Sequence, residues 1–220
     1  MERIPEPELM QGDEQARAYA AADFAEPHER FVRLLAEKQP DLPESAVAVD
    51  LGCGPGDIAF RFARVFPGWR VDAVDGSEPM LAEGRRAAAE RGLAARVRFA
   101  SRHLPCAEPP PARYALLFSN SLLHHLADPR ALWSTLRAWG APGAAVFVMD
   151  LLRPDSRARA RELVDQYAAG EPEILRADFF HSLCAAYRPD EVRAQLAGAG
   201  LDALELEIVS DRHWIVWGRL

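Results

Sequence analysis

The sequence predicts an α/β protein built on a mostly parallel sheet that helices cover on both faces. Short runs rich in β-branched and aromatic residues alternate with stretches whose apolar residues recur at helical spacing. Such alternation is typical of crossover units and a parallel sheet. The last two runs are separated only by residues 210–212, too few for a parallel crossover. The sheet should therefore end in an antiparallel hairpin.

Seven strands and the main helices can be placed from these patterns. In chain order the strand candidates are residues 46–51, 70–75, 95–100, 114–119, 144–150, 203–209 and 213–218. Helices are predicted at 56–66 and 79–91 because their apolar residues follow helical spacing. A further helix should begin at Arg188-Pro189-Asp190 and end at 198–200, where glycines interrupt the pattern.

Two regions lie outside the regular alternation. Residues 13–38 read as helices with apolar faces, placed before the first strand. Residues 151–188 form a longer segment than a plain crossover requires. Its aromatic residues suggest extra helices that fold over another part of the protein: Tyr167, Phe179, Phe180 and Tyr187.

Composition excludes several classes of protein. The chain of 220 residues has 26 Lys+Arg against 33 Asp+Glu, a net charge of −7, which counts against the clustered basic surface of a nucleic-acid binder. Its three cysteines are scattered without disulfide or zinc-site spacing, which favours a reducing interior. The acidic, proline-broken N-terminus resembles no targeting peptide, and no apolar run approaches the ~20 residues of a membrane span. We expect a cytoplasmic protein that does not enter a membrane.

The most informative segment is the glycine-rich turn that follows the first strand. A strand, then Gly52, Gly54 and Gly56, then a helix is the arrangement of nucleotide sites in open sheets. Gly52 and Gly54 allow positive φ and close approach of a ligand to the backbone. Asp57 stands where a dinucleotide fingerprint has its third glycine, and no Lys-Ser/Thr follows as in a P-loop.

Two carboxylates beside this turn indicate the charge of the ligand. Asp50, two residues before Gly52, would repel a pyrophosphate and attract an ammonium or a sulfonium. Asp75, at the end of the second strand, can accept hydrogen bonds from both ribose hydroxyls of a nucleoside. Together they favour a positively charged adenosine derivative over the alternative of a tight turn with two exposed acids.

These features resemble the class I S-adenosylmethionine-dependent methyltransferases. The resemblance lies in VAVDLGCGPG, VDAVDGSEPML, YALLFSNSLLHHL and the closing hairpin. It implies a doubly wound, Rossmann-like seven-stranded sheet in the order 3-2-1-4-5-7-6, with the last strand antiparallel, and S-adenosylmethionine as the cofactor. By position, it implies that Asp50 and the glycine loop hold the methionine part and that Asp75 binds the ribose. It also places three residues near ribose and adenine: Gly76, Ser77 and Met80.

The chain departs from the family after the third strand. The family often has Gly-Asp-Ala before Leu-Pro, with the Asp accepting from the adenine amino group, whereas this chain has ASRHLP at residues 100–105. We expect Ser101 or a backbone carbonyl to replace that contact and Arg102 to stack on the base.

The acceptor end is predicted after the fourth strand, at the carboxyl edge of the sheet. Asn120 is placed to contact the cofactor near the reacting methyl group. His124 and His125 are general-base candidates because imidazole titrates near working pH, although adjacent histidines also serve in packing or caps. The chain lacks the Asn-Pro-Pro-aromatic motif of enzymes that methylate base amines. Tyr19, in the lead-in helix, could hydrogen-bond the cofactor or pack in the core.

We therefore expect one domain that transfers a methyl group to the O, N or C atom of a small molecule. Residues 1–40 and 151–188 would form helical lids over a cofactor-binding core at 46–150, closed by a helix and hairpin at 189–220. No metal is implied, since no His/Asp/Glu cluster has ligand spacing along the chain. Two alternatives stay open: a tRNA- or protein-modifying methyltransferase, and a non-catalytic S-adenosylmethionine-binding scaffold. The sequence carries no signal for an oligomeric state.

Overall fold

The fold is a seven-stranded sheet in the order β3-β2-β1-β4-β5-β7-β6, seen in a computed structural model that describes residues 1–6, 12–22, 24–106, 110 and 113–220. The strands are β1 Val47–Leu51, β2 Arg70–Asp75, β3 Val97–Ser101, β4 Tyr114–Asn120, β5 Gly140–Leu151, β6 Glu205–Ile208 and β7 His213–Arg219. Pairs among β1 to β5 are parallel, and β7 runs antiparallel to both β5 and β6. The predicted strand order and terminal hairpin are confirmed.

Helices cover both faces of this sheet. They are α1 Asp13–Ala21, α2 Ala25–Lys38, α3 Asp57–Val65, α4 Glu78–Glu90, α5 Arg130–Trp139, α6 Arg157–Tyr167, α7 Glu173–Ala185 and α8 Pro189–Gly198, with a short 3-10 helix at Leu123–His125. Apolar residues of α2, α3 and α4 pack on one face, and those of α5 and α8 pack on the other. The strands bury residues on both sides, as in β4, where Phe118 and Leu117 belong to opposite clusters.

The helices expected in the two irregular regions are present. The predicted helices at 13–38 are α1 and α2, and those at 151–188 are α6 and α7. The latter pair shares a third apolar cluster, which contains Leu163 of α6 and Leu183 of α7, both fully buried. Among the helices in the described ranges, none has the length and apolar character needed to cross a bilayer.

The main difference from the predicted elements is the length of β5. We predicted this strand at 144–150, but it begins at Gly140, which pairs with Tyr114 before a register shift restores regular pairing at Leu116 and Ala145. We did not predict this extension because residues 140–143 include two glycines and a proline, which are depleted in strands.

Candidate active site

A cavity of about 810 Å³ lies at the carboxyl ends of β1, β2 and β4, the edge where open α/β sheets bind ligands. Its floor includes the loop after β1 and the residues that follow β4. Residues of α1 and α7, including Tyr19 and Phe179, also line it. The expected lid regions thus contribute to the walls of one cavity.

Two glycines of the loop take a positive φ for different reasons; Gly54 lines the cavity, whereas Gly56, also predicted to bind the cofactor, does not. Gly54 has a φ of 51°, and a Cβ added there would meet no atom within 4 Å, so its open side faces free space. Gly56 has a φ of 85°, and a Cβ there would lie 2.4 Å from the Phe99 ring. Gly54 therefore leaves room for a ligand, whereas Gly56 lets α3 begin against the packed side chain of β3.

Asp75 fixes the loop and also faces the cavity. Its Oδ2 accepts a hydrogen bond from the Gly54 amide at 2.8 Å, and its Oδ1 accepts one from the Ser77 amide at 2.8 Å. Burial raises the pKa of Asp75 despite these hydrogen bonds. The carboxylate also receives a backbone hydrogen bond from Gly76, and its remaining acceptor capacity can receive a ligand hydroxyl.

Asp50 is a buried carboxylate without enough partners. Only 2% of the residue is exposed, and its Oδ2 has no hydrogen-bond partner among the described residues. Burial, together with the charge of Asp75, raises the pKa of Asp50 well above its usual value. A buried charge needs a counter-charge, so this site is suited to a cationic ligand group.

Most of the remaining cofactor residues predicted from sequence also line the cavity: Tyr19, Gly52, Gly76, Ser77, Met80, Arg102 and Asn120. Ser77 additionally caps α4, since its hydroxyl accepts from the Met80 amide at 3.4 Å. Ser101 is different, because it ends β3 as an exposed residue and does not line the cavity. Its neighbours Arg102 and His103 do so instead.

Aromatic side chains from the N-terminal region line the same cavity. The Tyr19 and Phe24 rings lie 4.7 Å apart, and Phe24 lies 5.3 Å from the His28 ring. Burial raises the pKa of Tyr19 to about 12, so its hydroxyl stays protonated at neutral pH. His28 Nδ1 lies 2.9 Å from Asp57 Oδ2, which ties α2 to the start of α3.

The two predicted base candidates also line the cavity, and both lie close to acidic residues. His124 Nδ1 lies 2.5 Å from Asp150 Oδ1, and its Nε2 lies 3.5 Å from Glu6 Oε1. His125 Nδ1 lies 3.2 Å from the same Glu6 oxygen. Burial disfavours the charged imidazole, but the carboxylates of Asp150 and Glu6 outweigh it and raise the pKa of His124.

Comparison with known proteins identifies the family. Residues 49–146 match a family described as a methyltransferase domain. An uncharacterised methyltransferase of Mycobacterium bovis is 32% identical over 159 residues, which are 69% of this chain and 78% of that protein. The trans-aconitate 2-methyltransferase of Rhizobium meliloti is 31% identical over 156 residues, which are 71% of this chain and 56% of that protein. The crystal structure of an Aquifex aeolicus S-adenosylmethionine-dependent methyltransferase matches with a TM-score of 0.67 at 18% identity, covering 94% of this chain and 98% of that one.

The chain belongs to the class I S-adenosylmethionine-dependent methyltransferases. The site of this methyltransferase fits the family's cofactor. The unpartnered Asp50 oxygen suits the methionine ammonium, and the open side of Gly54 leaves space for a ligand against the loop. Asp75 offers acceptors for ribose hydroxyls nearby.

Sequence reasoning missed several residues that line the cavity or contact its histidines. Glu6 lies in the N-terminal segment, where no periodicity or motif marked it. Asp150 ends a predicted strand, but its contact with His124 depends on the pairing of β4 with β5. Arg212 ends the turn that we treated only as a connection, and His213 begins the predicted last strand; both line the cavity.

Proposed function

We propose that this methyltransferase acts on an oxygen atom of a small organic molecule. The observation that carries the cofactor part is Asp50, a buried carboxylate just before the glycine loop, one oxygen of which has no hydrogen-bond partner in the described part of the chain. The relatives named for trans-aconitate and for O-methylation in ubiquinone biosynthesis support the acceptor class.

Bound S-adenosylmethionine supplies a methyl group on a sulfonium, which is already a good leaving group. The protein then has to bind the cofactor and the acceptor and to orient them. We assign Asp50 to the ammonium, Asp75 to the ribose hydroxyls and Asn120 to the region of the methyl group. Holding an acceptor in line with the reacting bond contributes several kcal/mol of the rate acceleration.

The acceptor end is assigned to the side of the cavity near His124, His125 and Glu6. Sequence analysis predicts that one of the two imidazoles removes the acceptor's proton, and this stays a prediction. The carboxylates around them favour a partner that is positively charged or donates hydrogen bonds. A hydroxyl group meets the second of these requirements.

The charge around the cavity supports a small acceptor over a nucleic acid. Four of the five described arginines that line it contact carboxylates: Arg61 contacts Asp57 and Glu29, Arg86 contacts Glu83, Arg91 contacts Asp57, and Arg212 contacts Asp211 and Glu26. Such paired guanidinium groups are poorly available for the phosphate contacts on which nucleic-acid affinity depends.

Two measurements test the proposal. Calorimetric titration should show micromolar binding of S-adenosylmethionine and S-adenosylhomocysteine, with NAD as a control that does not bind. The formation of S-adenosylhomocysteine should then be followed with a panel of hydroxyl, carboxyl and amine compounds. Turnover with oxygen acceptors supports the proposal, turnover confined to amines refutes its acceptor class, and cofactor binding without turnover on any acceptor supports the scaffold alternative.

A further inference from the structure

Glu6, His124 and His125 form a compact group of possible metal ligands. One oxygen of Glu6 and one nitrogen from each imidazole lie within 4.8 Å of one another. The Glu6 oxygen is 3.5 Å from His124 Nε2 and 3.2 Å from His125 Nδ1. Ligands bound tetrahedrally to zinc at roughly 2.0–2.2 Å lie roughly 3.3–3.6 Å apart, so two edges of the group already have nearly that length.

The Glu6 carboxylate is buried, but one of its oxygens is left without a hydrogen bond from the described residues. Its side chain is nine-tenths buried, and its Oε1 atom, which lies between the two imidazoles, has no hydrogen-bond partner of normal geometry there. Its other oxygen accepts a 3.4 Å hydrogen bond from the Ser182 hydroxyl, which orients the group. A buried carboxylate oxygen directed at two nitrogens suits a bound cation.

The outer contacts of His124 are those of a metal-binding histidine. Its Nδ1 faces Asp150 at 2.5 Å, which leaves Nε2 directed toward Glu6. A carboxylate that holds one ring nitrogen, fixing the tautomer and orientation for the other, is the usual second contact of a metal-ligating imidazole. Asp150 is itself held by the Leu123 and Leu151 amides at 2.7 and 2.6 Å.

The segments that carry the three ligands are fastened together. Arg3 donates hydrogen bonds to the carbonyl oxygens of Ala185 and His124 at 2.6 and 2.9 Å. The Ile4 amide donates to the Cys184 carbonyl at 3.0 Å. These bonds hold the N-terminal segment against both α7 and the 3-10 helix, and so keep Glu6 beside the two histidines.

We propose that Glu6, His124 and His125 bind a divalent metal ion of the zinc type, whose open coordination position faces the acceptor. Two imidazoles, one carboxylate and an open position are the donor set of several catalytic zinc sites. Both histidines line the cavity, so an oxygen of the acceptor can reach that position. The acceptor role rests on the proposed function, whereas metal binding itself does not. This inference departs from the sequence-based expectation of no metal, which considered only spacing along the chain.

The test uses Co²⁺ as a spectroscopic probe and Zn²⁺ as its competitor. The chain of 220 residues is first treated with a chelator and then titrated with Co²⁺. We expect one equivalent to bind with the intense visible absorption of four-coordinate cobalt, and Zn²⁺ to displace it. Asp150→Asn should weaken binding about 10- to 100-fold, as loss of a second contact usually does.

Variants of the ligands locate the site. Glu6→Gln and His125→Ala should each weaken Co²⁺ binding at least tenfold. His103→Ala, an exposed cavity histidine outside the group, should leave it unchanged, as should Cys184→Ser, which removes a nearby thiol. Cofactor affinity and circular dichroism show that each variant is folded. His125 is 18% exposed, so its truncation leaves the core intact even if Glu6→Gln does not fold.

Three results would overturn or separate the claims. If the wild-type protein takes up no Co²⁺, or if Glu6→Gln and His125→Ala bind it as the wild type does, the group is only a hydrogen-bonded cluster. Methyl transfer that is unaffected by chelation removes the acceptor role and favours an imidazole base. Co²⁺ binding without S-adenosylmethionine binding keeps the metal site and refutes the proposed function.

Discussion

Asp50 and Asp75 lie at the carboxyl ends of neighbouring parallel strands, yet their surroundings suit them to different parts of one ligand. Asp75 has each oxygen fixed by a backbone amide and still faces the cavity. Asp50 is almost wholly buried, and one of its oxygens lacks a partner among the described residues. The first arrangement suits neutral hydroxyl groups, and the second needs a positive charge.

Replacing Asp75 by Ala should weaken S-adenosylmethionine binding about 10- to 150-fold for each charge-assisted hydrogen bond to ribose that is lost, since one such bond contributes about 1.5–3 kcal/mol. Calorimetric titration measures this directly. Asp72→Ala is the matched control: Asp72 lies on the same strand outside the cavity and accepts from the Tyr114 hydroxyl at 2.9 Å. Equal affinities in the two variants would remove Asp75 from the ribose site.

Binding of the cofactor should release a proton from Asp50. Burial and the neighbouring Asp75 raise the pKa of Asp50 in the free protein, and a bound ammonium would lower it again. Affinity should therefore increase with pH until the free protein's Asp50 is ionised. Titrations in buffers of different ionisation enthalpy measure the released proton. Asp50→Asn should bind more weakly and lose this component, and a proton release that persists in Asp50→Asn would assign it to another group.

At the scale of elements, α6 and α7 form a unit distinct from the rest of the core. Their shared cluster includes Leu163 and Leu183, whereas the sheet faces pack against other helices. Since α7 also lines the cavity and holds the N-terminal segment, its packing controls the shape of the acceptor end.

Leu163→Ala should loosen this unit selectively. Truncating a fully buried leucine costs about 2–5 kcal/mol, because the contacts are lost and a cavity remains. Hydrogen exchange followed by mass spectrometry should show faster exchange in α6 and α7 and unchanged protection in β1 and β4. Leu132→Ala, an equally buried site in α5, is the comparison. Uniformly faster exchange in the Leu163 variant would mean that α6 and α7 unfold only with the whole domain.

The elements that sequence predicted well are those whose signals are local. The strand at Arg70–Asp75 is bounded as predicted, because a buried apolar alternation ends at Gly76. Asp50 and Asp75 could be placed at the site from sequence because local signals also mark the loop after β1 and the end of β2. Glu6 reaches His124 only through the folding of α7 and the N-terminal segment, a long-range contact with no local pattern. Ser101 was placed by family position, which does not specify the direction of its side chain.

At the scale of the whole molecule, a buried histidine in the hairpin couples stability to pH. His213 is 7% exposed, and burial lowers its pKa to about 3. The folded protein then binds this proton less readily than the unfolded chain. The contribution of His213 is therefore present above its unfolded pKa of about 6.5 and is lost as pH falls from there toward about 3.

This coupling should lower the free energy of unfolding by about 2 kcal/mol between pH 7 and pH 5. Urea denaturation at both pH values measures it. His213→Gln should reduce the difference by that amount, while His181→Gln, at an exposed position on α7, should leave it as in the wild type. If the free energy of unfolding of His213→Gln changes with pH as it does in the wild type, the pH dependence belongs to other groups.

The cofactor should stabilise the whole domain, because its predicted site joins strands that both large clusters share. β1 and β4 each contribute side chains to the apolar clusters on the two faces of the sheet and end at the cavity. S-adenosylmethionine at 100 times its Kd should add about 2.7 kcal/mol to the free energy of unfolding. For a chain of this size, that raises Tm by about 5–10 °C in a single transition, measured by scanning calorimetry. A second transition whose Tm does not change with the cofactor would show that α6 and α7 unfold separately from the sheet. That result would contradict the single-domain prediction.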